Sequence, residues 1–179
     1  MRNAAFFAMA LVLVLFQANV HRLVGPLHFG SFHVYGWTPS AILPLVIFLG
    51  VHEPSMAKGA ILAAVIGHML DLFASAPLGL FSFVYVGLWW LARLAGVRLT
   101  AQTVPTQMAL AFGFSLVESL VVLVLLVVFG ADPQRPIEIA VIIVPRAAAT
   151  ALLSPIVFRV AERLHQSAQA TPRATETTA

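Results

Sequence analysis

Long apolar segments constrain this chain more than any other feature. Between residues 4 and 160 the sequence is a succession of apolar runs separated by short polar links. Only 9% of the residues are charged and 60% are hydrophobic, whereas a soluble domain carries about 25% charged residues because water must wet its surface. Several runs approach the ~20 apolar residues that a helix needs to cross a bilayer. The sequence therefore predicts an all-α, polytopic membrane protein.

Six apolar segments are predicted to form one transmembrane bundle within residues 1–163. They cover about 4–20, 39–51, 56–74, 78–95, 107–129 and 137–160. The second segment is too short to span upright and contains Pro44, so it is expected to be a short or kinked helix buried among longer ones. Residues 21–38 are predicted to form the longest polar connection. Residues 164–179, which contain few apolar side chains, are predicted to be a disordered cytoplasmic tail.

The first segment could also be a secretory signal peptide, because Arg2 precedes its apolar core. Its exit sequence, Gln17-Ala18-Asn19-Val20-His21, lacks a good cleavage pattern of small residues. We therefore expect the segment to be retained as a span.

The basic residues predict how the bundle is oriented. Six crossings place both termini on the same side, and that side receives most of the positive charge outside the membrane. The basic residues on that side are Arg2, Lys58, Arg93, Arg98, Arg159, Arg163 and Arg173. Those on the other side are Arg22 and Arg135. The positive-inside rule then places both termini in the cytoplasm. This bias would vanish if the short second segment did not cross, so we expect that it does.

One acidic residue stands out in the third segment. Asp71 ends the stretch Gly67-His68-Met69-Leu70-Asp71 and is followed by Pro77-Leu78-Gly79. A charged group in lipid costs roughly 2.5–3.5 kcal/mol on insertion scales, so Asp71 is expected to face protein, water or a partner. The Pro-Leu-Gly sequence predicts a tight turn between two helices, with Asp71 near the outer membrane surface. His68 is predicted to lie one turn deeper on the same helix face.

Two further charges fall inside predicted spans. Glu118 lies near the middle of the fifth segment and Arg146 about two turns inside the sixth. A Glu118–Arg146 pair or an Asp71–Arg146 pair would neutralise charges that lipid cannot solvate, and the sequence leaves both open. It also leaves open whether the pair only fixes helix packing or lines a polar, partner-facing pocket. A proton relay would need titratable groups through the whole membrane, which this chain lacks.

Small residues recur every fourth position on three segments. The third carries Gly59, Ala63 and Gly67, a pattern that lets a neighbouring helix approach closely. We expect this pattern to serve packing within the bundle. Similar pairs occur on the first and sixth segments: Ala4 with Ala8, and Ala147 with Ala151.

No motif in the sequence indicates catalysis, a metal or a cofactor. The chain has no cysteine, which excludes disulfides, thiol nucleophiles and Cys-ligated metals. His28 and His33 have neither a nearby carboxylate nor the spacing of zinc ligands. Glycines framing a nucleophilic serine and glycine-rich phosphate loops are also missing. The basic residues lie at helix ends, so the net charge of +3 does not indicate nucleic-acid binding.

The pattern G-x-x-x-D followed by P-L-G resembles the rod-shape-determining membrane protein family MreD. It is carried here by Gly67, Asp71, Pro77, Leu78 and Gly79. The chain length, the six segments and the short Pro-containing second segment agree with this resemblance. It implies a non-enzymatic scaffold of the elongation machinery in the bacterial inner membrane. The implied partners are MreC, the glycosyltransferase RodA, a class B penicillin-binding transpeptidase, MreB and membrane lipid.

The MreD fold is similar to that of the substrate-binding S-components of energy-coupling-factor vitamin transporters, which supplies an alternative function. In S-components, small alanines on the first helix dock onto the transmembrane partner, so the resemblance gives Ala4 and Ala8 that role. A vitamin site needs converging polar groups, and few are available here: Ser82, Tyr85, Ser115 and Ser119. We therefore expect a scaffold whose outer groove, lined by Asp71 and the turn at 77–79, receives a segment of MreC.

Overall fold

The chain folds into a helical protein with one small β-hairpin. The computed structural model describes residues 2–23, 27–29, 32–34, 38–73, 78–96, 103–129 and 135–169, and side chains within 5–17, 19, 38–73, 78–96, 103–129 and 142–167. Its elements in chain order are α1 (Arg2–Leu23), β1 (Leu27–Phe29), β2 (Phe32–Val34), α2 (Leu43–His52), α3 (Met56–Phe73), α4 (Leu80–Gly96), α5 (Val104–Phe129) and α6 (Arg135–Gln169).

Three helices in the described part of the chain are long and apolar enough to cross a membrane. They are α3, α5 and the 142–167 portion of α6. Helices α2 and α4 are shorter, with 10 and 17 residues. Large apolar side chains such as Ile61, Val127 and Leu152 are more than 60% exposed, which suits a surface that contacts lipid. These features indicate a membrane protein.

Helix α2 lies in the centre of the fold. Every residue from Ala41 to Gly50 is buried, and the helix contacts α3, α4, α5 and α6. Pro44 is tolerated because it lies in the first turn, where the backbone N–H has no partner within the helix. A Cβ atom on Gly50 would lie 2.7 Å from the Cβ of Ala92 in α4, so glycine allows the two helices to touch. The short second segment is therefore a core element, as the sequence predicts.

The polar connection predicted over residues 21–38 contains regular structure that the sequence analysis did not predict. Helix α1 continues to Leu23, and β1 pairs with β2 in antiparallel register. The facing pairs are Leu27 with Val34, His28 with His33 and Phe29 with Phe32. Alternating apolar and polar residues on either side of Gly-Ser are typical of a hairpin. This pattern could have predicted the two strands from the sequence. The side chains of the two histidines lie outside the described residues.

Helix α6 extends beyond the end predicted for the sixth segment. It continues to Gln169, because residues 161–169 are mostly good helix formers and contain neither Gly nor Pro. Residues 164–169 of the predicted disordered tail are therefore helical, and 170–179 lie outside the described residues. Within α6, Pro155 cannot donate a hydrogen bond to the carbonyl of Ala151. The Ser154 hydroxyl donates to that carbonyl instead, at 2.8 Å.

Helices α3 and α4 pack closely through the small residues of α3. Gly59, Ala63 and Gly67 are all buried. A Cβ atom on Gly67 would lie 2.6 Å from the carbonyl oxygen of Phe81, and one on Gly59 would lie 2.6 Å from the indole ring of Trp89. The stripe therefore serves packing within the bundle, as expected. Ala147 and Ala151 of α6 are likewise buried.

Gly67→Ala should destabilise the protein, because its methyl group would collide with the α4 backbone. Overpacking of this kind costs roughly 1–3 kcal/mol. Gly113→Ala is the matched control, since a Cβ atom there has no neighbour within 4 Å and alanine favours a helix by up to about 1 kcal/mol. Thermal unfolding in detergent should show a lower midpoint for Gly67→Ala and an equal or higher one for the control. Equal midpoints for both variants would contradict this close contact.

Candidate functional site

The Asp71 carboxylate at the end of α3 caps the amino terminus of α4. Oδ1 accepts a hydrogen bond from the backbone N–H of Phe81 at 2.8 Å. Oδ2 accepts from the N–H of Gly79 at 3.1 Å, the N–H of Ser82 at 3.3 Å and the Ser82 hydroxyl at 2.9 Å. These amides have no partner within α4, and the helix dipole favours a negative charge here. The acidic residue thus satisfies donors that lipid would leave unpaired.

Gly79 gives the turn the shape that this cap requires. Its φ angle is +91°, a conformation open to glycine and strained for other residues. Leu78, just before it, is 76% exposed. Pro77, the remaining member of the predicted motif, lies outside the described residues.

The expectation that Asp71 lines an open groove is wrong. Its side chain is only 2% exposed, and both oxygens are occupied by α4. The alternative pairing of Asp71 with Arg146 is also wrong, because the described partner of Arg146 is Glu118. Gly67, Asp71 and Gly79 instead build one structural junction between α3 and α4.

Glu118 is the centre of a second buried polar group, which we call the Glu118 cluster: Ser40, Tyr85, Glu118, Arg146 and Thr150. Glu118 is fully buried, and its Oε1 lies 3.3 Å from Nη2 of Arg146. The same oxygen accepts from the Tyr85 hydroxyl at 3.0 Å and from the Ser40 hydroxyl at 3.4 Å. The Glu118–Arg146 pairing left open by the sequence is therefore formed. One carboxylate joins α4, α5, α6 and the segment that precedes α2.

Thr150 connects the same cluster to the backbone. The N–H of Ser40 donates to the Thr150 hydroxyl at 2.9 Å, and that hydroxyl donates to the carbonyl of Arg146 at 2.8 Å. The sequence interpretation did not anticipate Ser40 or Thr150 as partners of Glu118. The available signal was a polar side chain at the start of an apolar segment and another one turn after Arg146.

Several polar atoms around Glu118 have no hydrogen-bond partner among the described residues. They are Oε2 of Glu118, Nε of Arg146 and the hydroxyls of Ser115 and Ser119. The Ser40 and Tyr85 hydroxyls lie 3.3 Å apart. Each hydroxyl has a single hydrogen, so whichever of the two donates to the other does not also donate to Glu118. Oε1 of Glu118 holds the cluster together. Oε2 of Glu118 can still accept a hydrogen bond, and Nε of Arg146 can still donate one.

Some of the polar side chains considered for a vitamin site already form hydrogen bonds within the protein. Ser82 donates to Asp71 and Tyr85 donates to Glu118. Ser115 and Ser119 are buried against the same cluster on α5. These contacts leave few of the converging donors and acceptors that a pocket for a polar ligand requires.

His68 lies apart from both acidic groups. Its side chain is exposed, whereas Asp71, three residues later, is buried, so the prediction of a shared face is wrong. The packed face of α3 follows residues 59, 63, 66, 67, 70 and 71, and His68 points away from it. Ile61, Val65, His68 and Leu72 instead form one exposed stripe, which we call the α3 outer face.

Ala8 lines an apolar groove between α1 and α6, and the side chain of Ala4 lies outside the described residues. The groove has a volume of about 660 Å³. We call it the α1–α6 groove, and all its lining side chains are apolar: Ala5, Ala8, Met9, Val12, Leu13 and Phe16 from α1, and Leu153, Ile156, Val157, Val160 and Leu164 from α6.

Arg93 binds backbone carbonyls just after the carboxyl end of α2, the end opposite Ser40. Its Nη1 donates to the carbonyl of Glu53 at 2.6 Å and its Nη2 to the carbonyl of Pro54 at 3.1 Å. The guanidinium also lies 5.8 Å from the centroid of the Trp89 ring, a cation–π distance. A basic side chain at a helix carboxyl terminus satisfies carbonyls and complements the dipole.

Within the described side chains, no group of three or more His, Asp or Glu residues could hold a metal ion. A scan against protein-family models finds no match, and searches of the curated proteins and of the solved structures find none either. Fold and site together indicate a helical membrane protein whose helices are joined through the buried carboxylates of Asp71 and Glu118.

Asp71→Ala should loosen the first turn of α4, because the amides of Phe81 and Ser82 lose their acceptor. Loss of a helix cap costs up to about 2 kcal/mol. Hydrogen–deuterium exchange should rise in peptides covering 79–84 and the thermal midpoint should fall. Leu72→Ala, at an exposed neighbouring position, is the control and should change neither. Unchanged exchange at 79–84 would rule out the cap.

Glu118→Gln and Arg146→Gln should each destabilise the bundle, because each leaves the partner's charge unpaired. Removal of one member of a buried ion pair costs about 3 kcal/mol or more. The double variant should lose less than the sum of the two single changes, as measured by unfolding in detergent. Glu162→Gln, at an exposed position on α6, is the control. Strict additivity would show that the two side chains do not interact.

Proposed function

We propose that this protein is a non-enzymatic scaffold of the MreD type, which binds a membrane-spanning segment of MreC within the bacterial elongation machinery. On this proposal its six helices cross the inner membrane, both termini are cytoplasmic, and RodA, the transpeptidase and MreB belong to the larger complex. The proposal rests on the sequence resemblance together with two features of α3.

The first supporting feature is that the residues of the resemblance have one shared structural role. Gly67 allows α4 to touch α3, Asp71 caps α4, and Gly79 shapes the turn between them. This junction fixes the position of the exposed Leu78. A motif that builds a rigid surface suits a scaffold, because a preorganised surface loses little entropy on binding.

The observation that carries the proposal is His68 on the α3 outer face. Ionisable side chains in membrane helices are rare and almost always face protein or a water-filled cavity. His68 is exposed on this chain, about 7.5 Å before the end of α3 at 1.5 Å per residue, and its neighbours on the stripe are apolar. A protein partner would remove this imidazole from lipid and offer it a hydrogen bond.

The α3 outer face also fits a helix as its partner. Its residues follow the spacing i, i+4, i+7 and i+11, which is one side of a helix. Ile61 and Leu72 are 64% and 65% exposed and would provide packing, while His68 would provide one polar contact. The partner expected here is an apolar membrane helix that carries a hydroxyl or a backbone carbonyl opposite His68.

The alternative is a vitamin-binding S-component, which Ala8 favours because it lies exposed on α1 where such subunits dock. The two functions predict different partners. A mild-detergent pull-down of the tagged protein from its native membrane, followed by mass spectrometry, should recover MreC. Recovery of a paired ATPase and its transmembrane coupling subunit would instead support the S-component and overturn the scaffold.

The α3 outer face can be tested by site-specific crosslinking, since the chain has no cysteine of its own. Leu72→Cys with a photoreactive label should crosslink to MreC in native membranes. Val124→Cys on α5, at a residue 53% exposed, is the control and should not. His68→Ala should lower MreC recovery about threefold to twentyfold, because interhelical hydrogen bonds in membranes contribute roughly 0.6–1.7 kcal/mol. Equal crosslinking from both positions would contradict this interface.

A further inference from the structure

The α1–α6 groove has the length of one membrane leaflet. Phe6 on α1 and His165 on α6 have ring centroids 6.5 Å apart, so Ala5 and Leu164 lie at the same end of the groove. Phe16 and Leu153 mark its other end. Twelve residues, with eleven steps of 1.5 Å between them, give about 16 Å on either helix. This is about half of the ~30 Å hydrocarbon core, so the groove suits an acyl chain better than a complete spanning helix.

One basic side chain, Arg163, lies at the Leu164 end of the groove, whereas Arg159 lies about 7.5 Å before that end and about 140° around α6 from Leu164, at 1.5 Å and 100° per residue. Arg159 and Arg163 are both exposed and are four residues apart on one side of α6. Neither forms an ion pair or a hydrogen bond within the part of the chain that the structure describes. Arg163 immediately precedes Leu164, the last lining residue of the groove. Glu162 lies on the opposite side of α6 from the groove, at about 160° from Leu164 at 100° per residue.

We propose that the α1–α6 groove binds one anionic phospholipid, with an acyl chain along the groove and the phosphate against Arg163. The apolar lining matches the hydrocarbon, the length matches one leaflet, and the unpaired Arg163 matches the headgroup charge. Arginine binds phosphate through parallel N–H donors, and its long stem lets it reach the headgroup layer from within the membrane. With the predicted orientation, the lipid belongs to the cytoplasmic leaflet, where basic pockets between helices attract anionic lipid. This site is independent of the proposed MreC surface on α3.

Native mass spectrometry of the full chain in detergent tests the site with two probes of identical acyl chains. Phosphatidylglycerol should be retained and phosphatidylcholine should not. Arg163→Gln should reduce phosphatidylglycerol retention by about fivefold, since one arginine is worth roughly that factor near an anionic surface. Lys58→Gln removes an exposed charge outside the groove and should change nothing. Equal retention of the two lipids by the unaltered protein would overturn the proposal.

Filling the groove separates a lipid site from a simple anion site. Ala8 is exposed within the groove, so Ala8→Phe can occupy the acyl path without disturbing the core. It should abolish phosphatidylglycerol retention while the thermal midpoint stays unchanged. Retention that survives Ala8→Phe but is displaced by inorganic phosphate would mean that Arg163 binds only an anion. If Ala8→Phe released a co-purified protein and left lipid retention intact, the groove would belong to a partner helix.

Discussion

A charge inside a membrane protein has to find its partners within the protein, and this requirement organises the whole fold. Asp71 finds them in the backbone amides at the start of α4, and Glu118 finds them in side chains from three other parts of the chain. The two carboxylates differ in how far apart in sequence the elements that they join are. Asp71 joins two neighbouring helices through a short turn, whereas Glu118 joins elements that are far apart in sequence.

The positions of the two carboxylates also show which helix faces are buried and which are exposed. Asp71 is turned inward, and the opposite side of α3 carries Lys58 and His68 among apolar side chains. Helix α1 contacts α3 and α6 and leaves a groove beside α6. The two surfaces open to other molecules are therefore separate, and each has its own polar element.

The sequence predicted the helices well where a segment was long and apolar, because length and hydropathy decide that outcome alone. It located Asp71 near a helix end, but the cap depends on the positive φ of Gly79 and the close approach at Gly67, which only the folded backbone reveals. It placed Glu118 and Arg146 at the same depth in the membrane, but depth alone could not decide whether Arg146 pairs with Glu118 or with Asp71. It misplaced His68, because a spacing of three residues lies near the edge of a packed face and can fall on either side.

Helix α2 has a consequence for how such a protein is made. Its ten residues are too few to enter a bilayer as an independent span, and its surroundings are supplied by α3, α4, α5 and α6, all of which are synthesised after it. The ribosome therefore finishes α2 long before anything exists to surround it. The segment has to wait at the membrane until α6 emerges, so the centre of this protein is the last part to be completed.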